Sequence, residues 1–143
     1  MFRFKLQTLL LTMTVLAVVS AVYTQRQPPL AFEGYCPVSL LENWKWRPGN
    51  PDYSVIHRGQ RFQFVSQQHK LEFIQYPDRY VPVLGGIDPV LLIESSVSNP
   101  GSRCYGIQYL NRIVLFSASE TLRRFTNNPA HYMAVIRRLE ANN

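Results

Sequence analysis

A chain of 143 residues that is 46% hydrophobic and 13% aromatic has room for one ordinary domain or two very small ones, and its composition excludes a disordered polymer. The net charge of +6 includes Arg3 and Lys5 at the extreme N-terminus, so the remaining body is only mildly basic. Met1 to Ala21 reads as a secretory signal. Arg3 and Lys5 form its positive start, Leu9 to Val19 its apolar centre, and Val19-Ser20-Ala21 a small-residue cleavage site. The alternative is an uncleaved anchor over Leu6 to Tyr23, but Gln7, Thr8, Thr12 and Thr14 make that stretch more polar than a spanning helix requires. Both readings place the rest of the chain in an exported location, periplasmic or secreted, with membrane attachment only if the signal stays uncleaved. Residues 22–33, with Pro28-Pro29 and no hydrophobic period, read as a spacer, or as an edge strand using Leu30 and Phe32.

From Gly34 onward the sequence occurs twice. At an offset of 52 positions, Gly34, Pro37, Val38, Leu40, Glu42, Pro48, Gly49, Tyr53, Phe64, Phe73, Pro77, Tyr80 and Val83 meet identical residues. Their partners are Gly86, Pro89, Val90, Leu92, Glu94, Pro100, Gly101, Tyr105, Phe116, Phe125, Pro129, Tyr132 and Val135, and no gap is needed. Such self-similarity marks a duplicated structural unit. It divides the chain into unit 1 at 34–84, unit 2 at 86–136 and a tail at 137–143. A lone unit of this size buries only about 60% of its unfolded surface, so the two are expected to share a core as one pseudo-two-fold body.

Each copy predicts the same order of elements. Pro37-Val38-Ser39-Leu40 and Pro89-Val90-Leu91-Leu92 read as short strands or knuckles, and Pro48-Gly49 and Pro100-Gly101 as turns. Alternation at Tyr53, Val55 and His57, then Phe62 and Phe64, predicts a hairpin turning at Arg58-Gly59. Tyr105, Ile107, Tyr109, Val114 and Phe116 repeat it, with Asn111 in place of Gly59; both residues accept a positive φ. A helix follows in each copy, opened by Ser66 in the first and by a Ser117/Glu120 capping box in the second. Pro82 halts the first copy, whereas Tyr132, Ile136 and Leu139 continue at helical spacing and predict an extra C-terminal helix. Trp44 and Trp46 stand where the second copy has Ser96 and Ser98; aromatic packing and an aromatic ligand surface both fit that asymmetry.

Gly34-Tyr35-Cys36-Pro37-Val38, a hairpin ending at Phe64, then Ser66, Phe73, Pro77 and Tyr80 resemble a YHS domain, and Gly86-Ile87-Asp88-Pro89-Val90 with Phe116, Phe125, Pro129 and Tyr132 resembles it equally. The resemblance implies an α+β fold of two tandem treble-clef-like units, each a knuckle, a β-hairpin and a helix. It also implies a link to heavy metals through cysteines after the Pro-Val pair and around the helix start. Here those positions hold Ser39, Val65 and His69 in the first copy and Leu91, Ser117 and Thr121 in the second, so the family's thiolate site is missing.

The two cysteines, Cys36 and Cys104, read first as a disulfide in an exported chain. Bridging across 67 residues would constrain the unfolded chain by roughly 4 kcal/mol in the loop-entropy model. Inert thiols and a metal thiolate are the other readings. His57, His69 and His131 show no chelating spacing, which leaves a Cys36/His57/His69 site dependent on the fold. No nucleophile elbow, activated-thiol signature or carboxylate pair points to catalysis. Arg123-Arg124 and Arg137-Arg138 suit an acidic partner, polysaccharide or lipid head group outside the membrane better than nucleic acid. The expectation is an exported, non-catalytic binding or interaction module without cofactor, its partner an envelope protein or anionic surface. The alternative is an envelope protein that handles copper or zinc.

Overall fold

The computed structural model describes residues 13–15 and 27–142. The expected signal segment, apart from residues 13–15, and the first residues of the expected spacer lie outside that range. Among the described residues no helix is long and apolar enough to cross a membrane.

The architecture is α+β. Unit 1 runs through α1 (Pro37–Asn43), β1 (Asn50–His57), β2 (Gln60–Phe64), α2 (Gln67–Gln75) and α3 (Pro77–Tyr80). Unit 2 repeats it as α4 (Pro89–Ser95), β3 (Ser102–Tyr109), β4 (Arg112–Phe116), α5 (Ser119–Asn127) and α6 (Pro129–Ala141). A 3-10 turn precedes each, at Ala31–Gly34 and Val83–Gly86. The backbone records the duplication independently of side chains. All twelve described residues with positive φ fall into pairs 52 apart: Phe32/Leu84, Glu33/Gly85, Gly34/Gly86, Trp44/Ser96, Arg58/Leu110 and Gly59/Asn111.

The hairpins form because each turn can adopt left-handed geometry twice in succession, at φ 48° and 74° in Arg58-Gly59 and at 48° and 59° in Leu110-Asn111. That is the turn whose twist suits two antiparallel strands. Pro48-Gly49 and Pro100-Gly101 bring the chain hard against the second strand. A Cβ on Gly49 would sit 2.6 Å from the Gln63 backbone, and one on Gly101 2.5 Å from Leu115 Cβ, so only glycine fits.

Three expectations are corrected. The predicted knuckles after Cys36 and Asp88 are α-helices, because proline at the first helical position costs no hydrogen bond and the preceding residue supplies a cap. Ser66 caps α2 through His69 N–H as expected, but Ser117 does not cap α5; its backbone and hydroxyl both turn to Asp88. The spacer ends earlier than residue 33, since Ala31 and Phe32 are buried in the core of unit 1 and Pro29 accepts from Arg61 N–H. Arg137 and Arg138 lie within α6, which reaches Ala141, and Glu140 accepts from Arg112 and from Leu84 N–H. The extra C-terminal helix is present where predicted. Its one-turn counterpart α3 stops at Tyr80, ahead of Pro82.

Two cores meet at β4. Val114 and Phe116 face the core of unit 2 with Phe125, Tyr132, Met133 and Ile136. Ile113 and Leu115, one residue out of phase, belong to the core of unit 1 with Phe32, Phe62, Phe64, Phe73 and Val81. Period-two alternation therefore gives one strand two apolar faces, each buried in a different unit. The counterparts in β2 are Arg61 and Gln63, and Arg61 turns to Gln27 and Pro29 instead. The joint is completed by Arg103, whose guanidinium lies 4.1 Å from the Tyr35 ring and 5.7 Å from Trp46 and pairs with Glu33. These contacts are one-sided, because Arg103 and Trp46 correspond to Pro51 and Ser98.

Candidate functional site

In each unit the residue before the first helix faces the start of the second helix, and the two units fill that junction differently. Asp88 is fully buried and accepts from Val90 N–H, Leu91 N–H, Ser117 N–H, Ser117 Oγ and Thr121 Oγ1, the last at 2.6 Å. Burial pushes its carboxyl up, but the donors from Ser117, Thr121 and Leu91 outweigh burial and hold it below the usual carboxylate range. Every lone pair is engaged, so the network is closed and structural.

Unit 1 has Cys36, Val65 and His69 at these positions. Cys36 is fully buried and caps α1 by accepting Ser39 N–H at 3.5 Å. Its sulfur lies 3.4 Å from His69 Nδ1, and His69 Nε2 lies 3.6 Å from Glu42. Burial is the main reason that the Cys36 thiol is pushed up, which favours the protonated sulfur beside Nδ1. Nε2 faces Glu42 on the other side of the ring. The arrangement is a thiol–imidazole–carboxylate relay in outline, with a neutral sulfur sealed from solvent.

One helical turn further the difference continues. In unit 2, Glu94 pairs with Arg124 and accepts the Tyr132 hydroxyl. In unit 1, Glu72 replaces the arginine, the Tyr80 hydroxyl donates to Glu72, and Arg79 lies 4.0 Å from the same carboxylate. Burial, then the bond to Glu72, pushes the Tyr80 phenol up. Glu42 is pushed up as well, first by burial and then by the Glu72 carboxyl against it.

The structure thus brings Cys36 and His69 together but not His57. The His57 ring packs edge-on against Phe62 and Phe73, with its Nε2 buried and unpartnered. Because the two nitrogens of His69 face Cys36 and Glu42 on opposite sides, those three do not converge on one point. Among the described residues no three His, Cys, Asp or Glu side chains gather into a metal-holding group. The expected Cys36–Cys104 disulfide is also absent: both thiols are free, Cys36 sealed at the α1 cap and Cys104 exposed on β3. Each cysteine is placed by its own unit, and nothing in the duplication brings one position to the other.

The motif residues all have structural work. Phe64, Phe73 and Tyr80 are buried in the first core, and Phe116, Phe125 and Tyr132 in the second. Pro37, Pro77, Pro89 and Pro129 open helices, while Gly34 and Gly86 take φ 86° and 91°. Trp46 packs on Phe32 and Tyr35, whereas Trp44 is exposed at the end of α1. Arg123 pairs with Glu120 and Arg124 with Glu94, so that basic pair is already engaged. Glu42, Glu72 and Asp88 carried no site expectation. The reversal of charge between Glu72 and Arg124 in otherwise matched copies was the readable signal.

The outer surface of α2 also departs from its counterpart. Leu71, Ile74 and Tyr76 are each more than half exposed, where unit 2 has Arg123, Thr126 and Asn128. An open groove of about 410 Å³ lined by Gln75 to Arg79 lies at that end of the helix.

No family model and no solved structure matches the chain. A stretch of 47 residues, 33% of the chain, is 43% identical to part of adenylate kinase 9 from Mus musculus. That stretch is about one unit long and corresponds to 2% of that protein's length, so the likeness is local.

Proposed function

We propose that this chain is an exported, non-catalytic module of two YHS-like units that binds a protein partner through the outer face of α2. The observation that carries the reading is the exposed set Leu71, Ile74 and Tyr76 beside the groove at Gln75 to Arg79, in a fold whose second copy is polar at the same three positions. An apolar cluster kept at one site while its duplicate is polar is what a contact surface requires and what folding alone does not. The partner is a protein presenting apolar side chains, acidic around them to suit Lys70 and the mildly basic body of the chain. The non-catalytic part of the reading is supported by Cys36: it lies beside a histidine, but fully buried and held as a neutral thiol. The short likeness to part of adenylate kinase 9 is too local to bear on whether the chain is an enzyme.

The test places a photo-crosslinking residue at Leu71 and, separately, at Arg123 in protein produced in its native host. One discrete adduct from Leu71 and none from Arg123 is expected, and Leu71→Arg with Ile74→Thr should abolish the partner without changing the melting temperature. Equal labelling from both positions, or no adduct, would overturn the reading. Intact mass of the exported chain is expected to begin near Val22; retention of Met1 in the membrane fraction would overturn export by a cleaved signal. Stoichiometric copper or zinc in protein purified without chelator would favour a metal-handling role instead.

A further inference from the structure

Between the first helix and the first strand of each unit runs a short connection, 44–49 in unit 1 and 96–101 in unit 2, and the two are held alike. Trp44 N–H donates to Leu40 O and Cys36 N–H to Arg47 O, as Ser96 N–H donates to Leu92 O and Asp88 N–H to Asn99 O. Trp44 and Ser96 both take left-handed backbone, at φ 55° and 57°. The side chains on this common frame differ. Unit 2 carries Ser96, Val97, Ser98 and Asn99, all neutral, whereas unit 1 carries Trp44, Lys45, Trp46 and Arg47. Trp46 packs on Phe32 and Tyr35 and anchors the segment. Lys45 and Arg47 are exposed, and more than half of Trp44 is open to solvent. A bulky side chain rarely adopts a left-handed φ, and a serine serves at the matching position, so the fold itself does not require an indole there. The charges are equally unaccounted for by folding. Among the described residues neither Lys45 nor Arg47 enters an ion pair. Of the acidic side chains of this region, Glu42 turns to His69 at 3.6 Å and Glu33 to Arg103 at 3.4 Å.

We propose that Trp44, Lys45 and Arg47 form a docking patch for an anionic lipid surface, separate from the outer face of α2 and independent of the protein partner read there. An indole is apolar over its rings and polar at one N–H, and it settles at the boundary between hydrocarbon and headgroups. Lysine and arginine beside it are drawn to negatively charged headgroups, with an effect of roughly fivefold in affinity for each cation. The segment from Trp44 to Arg47 holds two cations and no carboxylate, so its charge complements an anionic surface. A soluble glycan or peptide is fixed by several convergent donors and acceptors. This segment offers one ring and two long cationic side chains, whose attraction has little direction and suits a fluid surface of phosphates. The contact is weak and reversible: it orients unit 1 against the headgroups and does not insert the chain. Unit 2, with the same backbone and neutral residues, has no such preference.

The test follows Trp44 emission in protein purified from its host and mixed with phosphatidylcholine vesicles, with and without phosphatidylglycerol. Subtracting the spectrum of Trp44→Phe isolates that residue, since Trp46 is common to both proteins. On the anionic vesicles the Trp44 emission is expected to shift to the blue and to be quenched by brominated acyl chains. Both effects should vanish at high salt and on phosphatidylcholine alone. Because the signal is local to Trp44, an apolar N-terminal segment in the bilayer does not imitate it. Giving unit 1 the residues of unit 2, as Trp44→Ser with Lys45→Val and Arg47→Asn, is expected to weaken binding to anionic vesicles by roughly tenfold or more with Tm unchanged. Should that exchange unfold the chain, Lys45→Gln with Arg47→Gln, which removes exposed charge alone, decides the matter by the same measurement. An equal shift on uncharged vesicles, or undiminished binding by the exchanged chain, would overturn the proposal. So would an equal shift with soluble polygalacturonate, in that case in favour of an acidic glycan.

Discussion

Unit 1 and unit 2 share a backbone down to the pairing of their positive-φ residues, yet they fill the same interior junction in opposite ways. Unit 2 uses a buried carboxylate whose acceptors are all met by Val90, Leu91, Ser117 and Thr121. Unit 1 uses a neutral thiol, an imidazole and two facing carboxyls. One is a closed network around a single carboxylate; the other joins a thiol, an imidazole and carboxyls from separate helices. The outer faces of α2 and α5 diverge in parallel, apolar in the first and polar in the second. Duplication has left one copy to hold the fold and the other to differ from it.

The largest contrast expected between the units is all-or-none. A thiol reagent should label Cys104 in the native chain at once and Cys36 only after unfolding, because one is exposed and the other sealed. Rapid native labelling of both would mean that the Cys36 junction opens, and labelling of neither would restore the disulfide. Next in size is the strand that serves both cores. Ile113→Ala and Leu115→Ala should each cost about 2–4 kcal/mol by calorimetry while leaving a single transition, as expected for buried aliphatics. Two separate transitions in wild type would break the picture of two cores coupled through β4.

Asp88→Ala should cost about 2–4 kcal/mol, since it leaves the Val90, Leu91 and Ser117 N–H groups without their acceptor, whereas Cys36→Ala should cost only about 1–2. Asp88 is held low, so its contribution is present above the ordinary carboxylate pKa and lost as pH falls through the lowered value. The gap between wild type and Asp88→Asn should accordingly narrow in acid; a gap independent of pH would show that the charge is not what the donors stabilise. The smallest effect belongs to the joint. Arg103→Ala should cost about 1 kcal/mol for a guanidinium over two rings and beside Glu33, and a loss as large as that at Leu115 would make it the principal fastener.

Much of this molecule was written in its sequence because it was written twice. Gaps would have blurred the register; none is needed, so the hairpins, their turns, the second helices and the final helix follow from residues whose local preferences repeat. Arg58-Gly59 and Leu110-Asn111 show how far that goes, since different residues specify one turn because both pairs tolerate positive φ. Local rules misled where a short apolar run admitted two answers. Pro37 to Leu40 and Pro89 to Leu92 looked like knuckles and are helices, because the cap that decides them comes from Cys36 and Asp88. Ser117 looked like a cap and is a donor to a carboxylate 29 positions away.

What the sequence determined by itself is the duplicated α+β order and the matched aromatic positions that each unit buries, for these depend on spacing and on chirality at single positions. Tertiary structure alone decided that β4 presents Ile113 and Leu115 to the neighbouring unit, that Cys36 meets His69 and not Cys104, and that Glu42 faces a carboxyl where Glu94 faces a guanidinium. Those are relations between side chains from separate elements. Their consequence depends on distance and burial, which no spacing along the chain encodes.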